Sequence, residues 1–249
     1  MKFKIALLII FIYCITLVVK LPAAAVVDWL PRNVAKVNNV TGTIWHGQAQ
    51  SISINTKTKF ENVQWDIKPM SLLSLTLEAA VSFNNGPDAM SGKGVVAYNM
   101  SGVSASNVIL DITSEQLMHY LPRRLPGTLQ GDFSVVIKEF KQGQPYCQQL
   151  DGNILWQNAK TLSQYGDINL GQPTADLGCA QGNVSAFVSQ ESDQLVTNLD
   201  IVLGKNAIYE LNGEIQGTDK LAPKIADALN WIGPKNTAGA TTLTYTGKL

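Results

Sequence analysis

The sequence predicts a mainly β protein, folded as a long, curved antiparallel meander with two short helices. Apolar and polar side chains alternate over many short segments, as expected for half-buried strands. Clusters of Gly, Pro, Asn and Asp separate these segments and mark turns. Four features of a first half, residues 40–122, recur in the same order in a second half, residues 126–249. This order indicates a duplicated β unit, and a sheet this long is expected to curl over its apolar face.

The composition excludes some classes of function. The 249-residue chain has a net charge of zero and only 15% charged residues, whereas a nucleic-acid surface needs a basic excess to neutralise phosphates. Hydrophobic residues make up 45% of the chain, which is enough for a folded core. We therefore expect a globular protein that does not bind nucleic acid.

An apolar segment at the N-terminus indicates export. Met1–Lys4 carries two lysines and precedes an uncharged run, Ile5–Val19. A cleaved signal peptide has this arrangement, and Ala23–Ala25 is a small-residue cleavage site. The alternative is a transmembrane helix, in which Lys20 snorkels to the interface and Ala23–Val27 extends the apolar stretch.

We favour the uncleaved anchor. Residues 1–27 then form a cytoplasmic tip and a single transmembrane helix, and residues 28–249 form a periplasmic β domain. Trp29 would lie near the outer headgroups, where aromatic side chains are favoured. Residues 28–37, with Pro31 near their start, are expected to form a short juxtamembrane helix.

One short motif opens each half. Gly42-Thr43-Ile44-Trp45-His46-Gly47 begins the first half, and a weaker copy, Gly127-Thr128-Leu129-Gln130-Gly131, begins the second. We interpret each as a strand bounded by glycines, because β-branched and large apolar residues fill it. An Asn-x-x-Trp sequence follows each copy, ending at Trp65 and at Trp156.

Alternation predicts the individual strands, most clearly over residues 75–83. Leu75, Leu77 and Val81 share one face of that strand. The predicted strands, in chain order, are 51–60, 63–67, 75–83, 94–98, 108–112, 133–137, 153–156, 166–170, 183–188, 196–203, 208–216 and 241–247.

Two helices are predicted within the β domain. Thr113 and Gln116 fit a capping box for a helix that ends at Pro122. Residues 220–232 read as an amphipathic helix stopped by Gly233-Pro234. Its apolar stripe is formed by Leu221, Ile225, Leu229 and Ile232.

The sequence contains no recognisable catalytic or cofactor pattern. His46 and His119 have no Cys or carboxylate at ligand spacing, so we predict no metal site. Gly102–Ser106 lacks the last Gly of a nucleophile elbow. Gly92-Lys93-Gly94 leads into a predicted strand, whereas a phosphate loop leads into a helix. We therefore predict a protein that is not an enzyme, with no catalytic residue and no cofactor.

Three tryptophans allow two interpretations. Trp45, Trp65 and Trp156 could form a stacking platform for sugars or lipid headgroups. Tryptophans at matching points of two repeats more commonly have a structural role in the core, and we favour that role.

The cysteines agree with export. Cys14 lies in the N-terminal apolar segment and is interpreted as a small hydrophobe. In an oxidising compartment Cys147 and Cys179 are expected to form a disulfide. It would close a loop of about thirty residues and stabilise the second half by roughly 3–4 kcal/mol. Two buried free thiols are the alternative.

These residues resemble one known family. The first motif, then Val63-Gln64-Trp65-Asp66-Ile67-Lys68-Pro69 with its Leu-rich continuation, is similar to protein N of the type II secretion system. Leu121-Pro122-x-x-x-Pro126, the second motif after it, and the Cys147–Cys179 pair also resemble that family. The resemblance runs over nearly the whole chain, and its motifs are structural.

The resemblance implies a single-pass inner-membrane protein of a Gram-negative bacterium, mostly periplasmic, that assists export of folded proteins across the outer membrane. Its expected partners are other secretion-system proteins of the inner-membrane platform or the periplasm. It also implies distant kinship with AsmA-like proteins. A lipid-binding sheet is the alternative, and the one-sided alternation of residues 75–83 places the lipid near Leu77 and Val81. An envelope enzyme using His46 is a third hypothesis.

Overall fold

A computed structural model describes residues 2–27, 35–54, 58–87, 89–120 and 127–248. Trp29 and Pro31 lie outside the described residues, as does the 121–126 link between the predicted halves. Of the predicted juxtamembrane helix, 28–37, residues 28–34 also lie outside them, and Lys36 and Val37 are in a strand. The prediction that Lys36 and Val37 are helical is wrong.

The chain is mainly β, and its strands form one 14-stranded antiparallel sheet. The strands are β1 Lys36–Gly42, β2 His46–Ser53, β3 Lys59–Ile67, β4 Leu77–Asn84, β5 Ser91–Asn99, β6 Gly102–Thr113, β7 Thr128–Gln142, β8 Cys147–Ser163, β9 Gly166–Gly171, β10 Thr174–Ala180, β11 Asn183–Glu191, β12 Leu195–Leu203, β13 Ile208–Gly217 and β14 Thr241–Lys248.

Strands adjacent in sequence pair in space, with one exception. The order runs from β1 to β8, then from β10 to β14, while β9 pairs only with β8. The predicted antiparallel meander is therefore confirmed, although β1 and β10 were not predicted as strands. The prediction of one strand over residues 51–60 is wrong, because Ile54 lies in a bend between β2 and β3. The curvature and the kinship of the two halves stay predictions.

The helices are α1 Lys2–Val19, α2 Ala23–Val27, α3 Ser114–Tyr120 and α4 Pro223–Ile232, with 3₁₀ turns at Pro69–Ser74 and Lys205–Ala207. Among the described residues, no helix has both the length and the apolar character required to cross a membrane. The expected extension of the first helix through Ala23–Val27 is also wrong. Helix α1 ends at Val19 because Pro22 lacks an N–H donor and disfavours helical geometry at Leu21.

The chain divides into two compact units. Unit 1 comprises residues 1–85 and 93–100, and unit 2 comprises residues 86–92 and 101–249. Unit 1 therefore contains α1, α2, β1–β4 and most of β5. Few residues of its sheet are buried. Ala49 of β2 and Val63 of β3 are two of them, and they pair with each other.

Unit 2 has one apolar and one largely polar sheet face. Cross-strand partners lie on the same face, so the registers of β6 to β14 define rows of side chains. One row is Val108, Ile137, Gly152, Leu177, Ala186, Ile201, Leu211 and Tyr245. The next row is Leu110, Val135, Ile154, Ala175, Val188, Leu199, Gly213 and Leu243.

The row between these two points to the opposite face. Five of its eight residues are polar, Asn153, Asp176, Asp200, Asn212 and Thr244, and the others are Ile109, Val136 and Phe187. The predicted alternation is thus confirmed in unit 2. Most side chains of the two apolar rows are only half-buried. Their apolar area is therefore partly in contact with solvent in the isolated chain.

Helices α3 and α4 lie near their predicted positions. Gln116 N–H donates to Thr113 Oγ1 at 3.3 Å, as a capping box requires. The Gln116 side chain instead accepts from Met90 N–H at 2.6 Å. Helix α4 begins at Pro223, so the prediction that residues 220–222 are helical is wrong. Of the predicted stripe, Leu221 precedes α4 and is 5% exposed, whereas Ile232 is 55% exposed.

Candidate functional site

The first motif is a hairpin tip, so its interpretation as a strand is wrong. Strand β1 ends at Gly42 and β2 begins at His46, and Gly42 pairs with Gly47. Thr43 N–H donates to His46 O at 2.9 Å, and His46 N–H donates to Thr43 Oγ1 at 3.1 Å. Gly42 has φ +86°, a left-handed conformation that Gly adopts without strain.

Ile44 and Trp45, at the hairpin tip, donate hydrogen bonds to the N-terminal segment. Trp45 Nε1 donates to Val18 O at 2.9 Å, and Ile44 N–H donates to Leu21 O at 3.0 Å. Pro22 forms an isolated antiparallel bridge with Thr43. Val18 O lies in the last turn of α1, where carbonyls have no partner within the helix, and it also accepts from Leu21 N–H at 3.4 Å. Leu21 O lies just beyond the helix.

Helix α2 continues this contact and packs against β1. Ala23 is only 3% exposed, one of the most buried residues of the chain. We define the N-terminal clamp as Val18, Leu21, Pro22 and Ala23 held by Thr43, Ile44 and Trp45. The clamp fixes the end of α1 to the sheet of unit 1.

Trp65 supports the clamp from β3. Its Nε1 donates to Ile44 O at 3.1 Å, and Ile67 N–H donates to Trp45 O at 2.6 Å. The Trp65 ring lies directly over Gly47, where a Cβ atom would overlap the ring. A glycine at position 47 is thus required by close packing, since its φ is not left-handed.

The second motif has a different structure. Residues 128–131 belong to β7, and Gly131 has φ +102° at an irregularity between the Gln130–Lys160 and Asp132–Gln157 pairs. A Cβ atom at Gly131 would overlap the backbone carbonyl of Gln157. The second motif therefore forms a β-bulge inside a long strand.

A tryptophan and a helix also meet at the second motif. Trp156 Nε1 donates to Gln130 O at 3.0 Å, and its ring stacks on Phe133 with centroids 4.8 Å apart. Ser114, the first residue of α3, is 2% exposed and donates from Oγ to Gly131 O at 2.5 Å. This motif thus fixes the start of α3.

Cys147 and Cys179 form a disulfide, with Cα atoms 6.1 Å apart. It joins the first residue of β8 to the end of β10. Both cysteines lie beyond the last residues through which β8 and β10 pair, Asp151 and Gly178. The adjoining loop is fixed as well, because Tyr146 N–H donates to Gly182 O at 3.0 Å and Tyr146 Oη accepts from Ala207 N–H at 3.1 Å. Cys14 lies in α1, and its side chain is outside the described residues.

The histidines have surface positions. His46 Nδ1 lies 3.2 Å from Asp66 Oδ1, and both side chains are more than half exposed. His119 Nδ1 donates to Glu115 O, one turn earlier in α3. Among the described residues, no group of three His, Cys, Asp or Glu side chains is arranged to hold a metal ion.

Two ionisable groups have shifted pKa values. The Glu78 carboxylate, hydrogen-bonded to Lys68 at 2.5 Å, raises the pKa of the Lys68 ammonium. Loss of hydration and the neighbouring Tyr245 raise the pKa of Tyr209. Both shifts follow from local pairs at the surface of a sheet.

The predicted motif residues form two separate sites. Thr43, Trp45, Gly47 and Trp65 meet with Gly42 at the hairpin tip of unit 1, and Gly127, Thr128, Gly131 and Trp156 lie around the bulge of unit 2. Sequence reasoning missed Val18, Leu21 and Ser114, which contribute backbone or hydroxyl groups. No side-chain pattern marks such residues, although Pro22 is a signal that could have indicated a helix end before it.

Comparisons with known proteins identify the family of the chain. The family model for type II secretion system protein N matches residues 34–244. A type II secretion system protein N of Aeromonas hydrophila is 28% identical over 252 residues, covering 100% of this chain and 99% of the relative.

Proteins of the same name from two other bacteria are also similar. That of Vibrio cholerae serotype O1 is 27% identical over 236 residues, covering 94% of this chain and 93% of the relative. That of Pectobacterium carotovorum is 25% identical over 213 residues, covering 86% and 84%. No solved structure matches the chain. The match over residues 34–244 shows that the chain belongs to the type II secretion system protein N family.

Proposed function

We propose that the chain is a non-enzymatic component of the type II secretion system, anchored in the inner membrane of a Gram-negative bacterium. Its N-terminus lies in the cytoplasm and the β units lie in the periplasm. There it assists export of folded proteins across the outer membrane by contacting proteins of the inner-membrane platform or the periplasm. The family match over residues 34–244 carries the proposal.

The character of α1 supports the anchor. Those of its apolar side chains that the structure describes, between Ile5 and Val19, lie on all sides of the helix and are more than half exposed. A helix that is apolar all round requires an apolar environment. Its 18 residues span about 27 Å at 1.5 Å per residue, close to the roughly 30 Å hydrocarbon core, and Lys2, Lys4 and Lys20 lie at its two ends.

The apolar face of unit 2 supports protein contacts. Its two rows cross eight strands, from β6 to β14, and most of their side chains are half-buried. Extended apolar surface of this kind marks an interaction site in a soluble domain. A partner that covered these rows would remove the remaining apolar area from water.

Deletion of the gene and complementation test the function. We expect the deletion strain to secrete less of its type II substrates and the wild-type gene to restore secretion. Leu211→Glu, on the apolar face, should fail to restore it, whereas Asn212→Glu, the next residue and on the polar face, should succeed. Tyr245→Glu, in the same row and 58% exposed, repeats the test if Leu211→Glu does not fold. Normal secretion of every substrate by the deletion strain would reject the proposal.

A second candidate function is lipid binding by the same face. The two apolar rows favour it, because acyl chains need a continuous apolar surface without charged groups. The test is mass spectrometry of lipid extracted from purified full-length protein in wild type and in Leu211→Glu. Stoichiometric lipid that Leu211→Glu abolishes would support this function, and lipid-free wild type would exclude it.

A further inference from the structure

The segment that connects β3 to β4 exposes a cluster of large aliphatic side chains. We define the apolar tip as Met70, Leu72, Leu73, Leu75 and Leu77. Met70 is 76% exposed, Leu73 is 81% exposed and Leu75 is 73% exposed. The expectation that Leu75 lies in a strand is wrong, because Pro69 starts a 3₁₀ turn that ends in left-handed geometry at Leu75, φ 54°.

Hydrogen bonds hold the apolar tip in this form. Leu75 N–H donates to Leu72 O at 3.0 Å, and Thr76 N–H donates to Ser71 O at 3.1 Å. Ser71 Oγ donates to Lys68 O at 2.7 Å. At the base of the segment, Lys68 N–H donates to Glu78 O at 3.0 Å. The aliphatic side chains are therefore presented by an ordered scaffold.

The apolar tip lies at the end of the unit 1 sheet that also holds the N-terminal clamp. Strand β3 ends and β4 begins at this end, where β2 begins. Ile67, which precedes the tip, donates its N–H to Trp45 O, and Trp45 donates to Val18 O at the end of α1. Two hydrogen bonds thus connect the base of the tip to the last turn of α1.

We propose that the apolar tip inserts into the lipid interface of the membrane at the point where α1 leaves it. The inference rests on the proposed membrane anchor. A lipid surface is the occupant because α1 itself exposes apolar side chains all round. Lys20 follows α1 and is exposed, so a cationic group lies between α1 and the clamp, as at surfaces of anionic bilayers. Lys68, which precedes the tip, is paired with Glu78. The clamp and the tip would together fix the orientation of unit 1 on the membrane.

A fluorescent label at position 73 tests the proposal. Full-length protein carrying Cys14→Ala and Leu73→Cys is labelled with an environment-sensitive dye and reconstituted into vesicles of phosphatidylethanolamine and phosphatidylglycerol. Some of the lipid carries a nitroxide quencher near the headgroup. The matched control is Ile54→Cys in the same background, because Ile54 is also exposed, at 55%, but follows β2 at the opposite end of the sheet.

We expect the label at position 73 to shift to the blue and to lose roughly half of its emission to the quencher, as for a group about 5–10 Å into the headgroup boundary. The label at position 54 should remain aqueous. Equal, aqueous emission at both positions in protein that floats with the vesicles would overturn the inference alone. Protein that does not float with the vesicles would overturn the membrane anchor and this inference with it.

Discussion

Both glycine-bounded motifs hold the end of a helix, but one does so with a hairpin tip and the other with a β-bulge. In unit 1, Trp65 donates to the carbonyl of Ile44 at a hairpin tip, and the tip receives the end of α1. In unit 2, Trp156 donates to the carbonyl of Gln130 beside a bulge, and the bulge receives the start of α3. In both, an indole fixes backbone that in turn positions a helix.

The difference lies in how each glycine is used. Gly47 makes room chiefly for a side chain, the Trp65 ring, and then for the Thr43 carbonyl of the hairpin tip. Gly131 makes room for the backbone carbonyls of Gln157 and Asn158 in β8 and also has a positive φ. A side chain can move aside, but a carbonyl within a sheet cannot without loss of pairing. The two motifs therefore differ in how well their glycines tolerate substitution. Their similar sequences do not give them the same backbone geometry.

The largest expected effect concerns the disulfide, which unit 2 has in addition to its motif. The double change Cys147→Ser, Cys179→Ser opens a loop of sequence separation 32. We expect the free energy of unfolding of unit 2 to fall by about 3–4 kcal/mol, because the unfolded chain gains entropy. Urea denaturation of wild type with and without reductant measures it. An unchanged midpoint would show that the sheet alone stabilises unit 2.

Gly131→Ala should come next, with a loss of about 3 kcal/mol from backbone strain and overlap combined. Gly239→Ala is the matched control, because Gly239 has φ +85° but nothing within 4 Å of an added Cβ. It should lose only about 1–2 kcal/mol, the cost of left-handed geometry alone. Equal losses would mean that the bulge yields to the added methyl group.

Gly47→Ala should cost less, about 1–3 kcal/mol, because the atoms that must move are the Trp65 ring and the Thr43 carbonyl of the hairpin tip, which lies outside the strands. Trp65→Phe should recover part of the loss, giving a coupling energy of about 1 kcal/mol in a double-mutant cycle. No such recovery is expected for Gly131→Ala with Trp156→Phe. Strict additivity of Gly47→Ala and Trp65→Phe would contradict the packing described for the first motif.

The smallest effect on stability, about 1 kcal/mol or less, is expected for Trp45→Phe, which removes one hydrogen bond to Val18 O. The local effect on the N-terminal clamp should be large, because the end of α1 is then held by fewer contacts. Trypsin cleavage after Lys20 in detergent should become faster than in wild type, and Trp156→Phe should leave that rate unchanged. Equal cleavage rates in all three proteins would argue against a role for Trp45 in the clamp.

The strands were predictable where alternation is strong. Phe133, Val135 and Ile137 mark β7, and the same rule places Trp65 in β3. Strand β10 was missed, because Gly178 and the short Thr174–Ala180 segment give a weak pattern. Its place in the sheet comes from pairing with β8 and β11, and such long-range pairing is not encoded locally.

The candidate site was predictable as residues but not as geometry. Thr43, Ile44 and Trp45 have strong strand propensity, yet they form a turn because Gly42 takes a positive φ and the N-terminal segment contacts the tip. The contacts at Val18 and Leu21 use backbone carbonyls, which every residue has. Sequence patterns therefore indicate that Trp45 matters, without showing what it holds.

The first motif holds the N-terminal segment in the intact chain, and a cross-link between the two can be measured. Pro22 and Thr43 form an antiparallel bridge, whose Cα atoms are roughly 4.5–5.5 Å apart, within the range for a disulfide. Cells expressing Pro22→Cys, Thr43→Cys in a Cys14→Ala background are oxidised, and the protein is mapped by mass spectrometry. Pro22→Cys with Ser53→Cys, at the far end of the hairpin, is the control.

We predict a disulfide between positions 22 and 43 in a chain that retains its N-terminal residues, and none between positions 22 and 53. Free thiols at both positions 22 and 43, while Cys147 and Cys179 are oxidised in the same molecule, would contradict the clamp. A protein that begins after Ala25 would contradict both the clamp and the anchor.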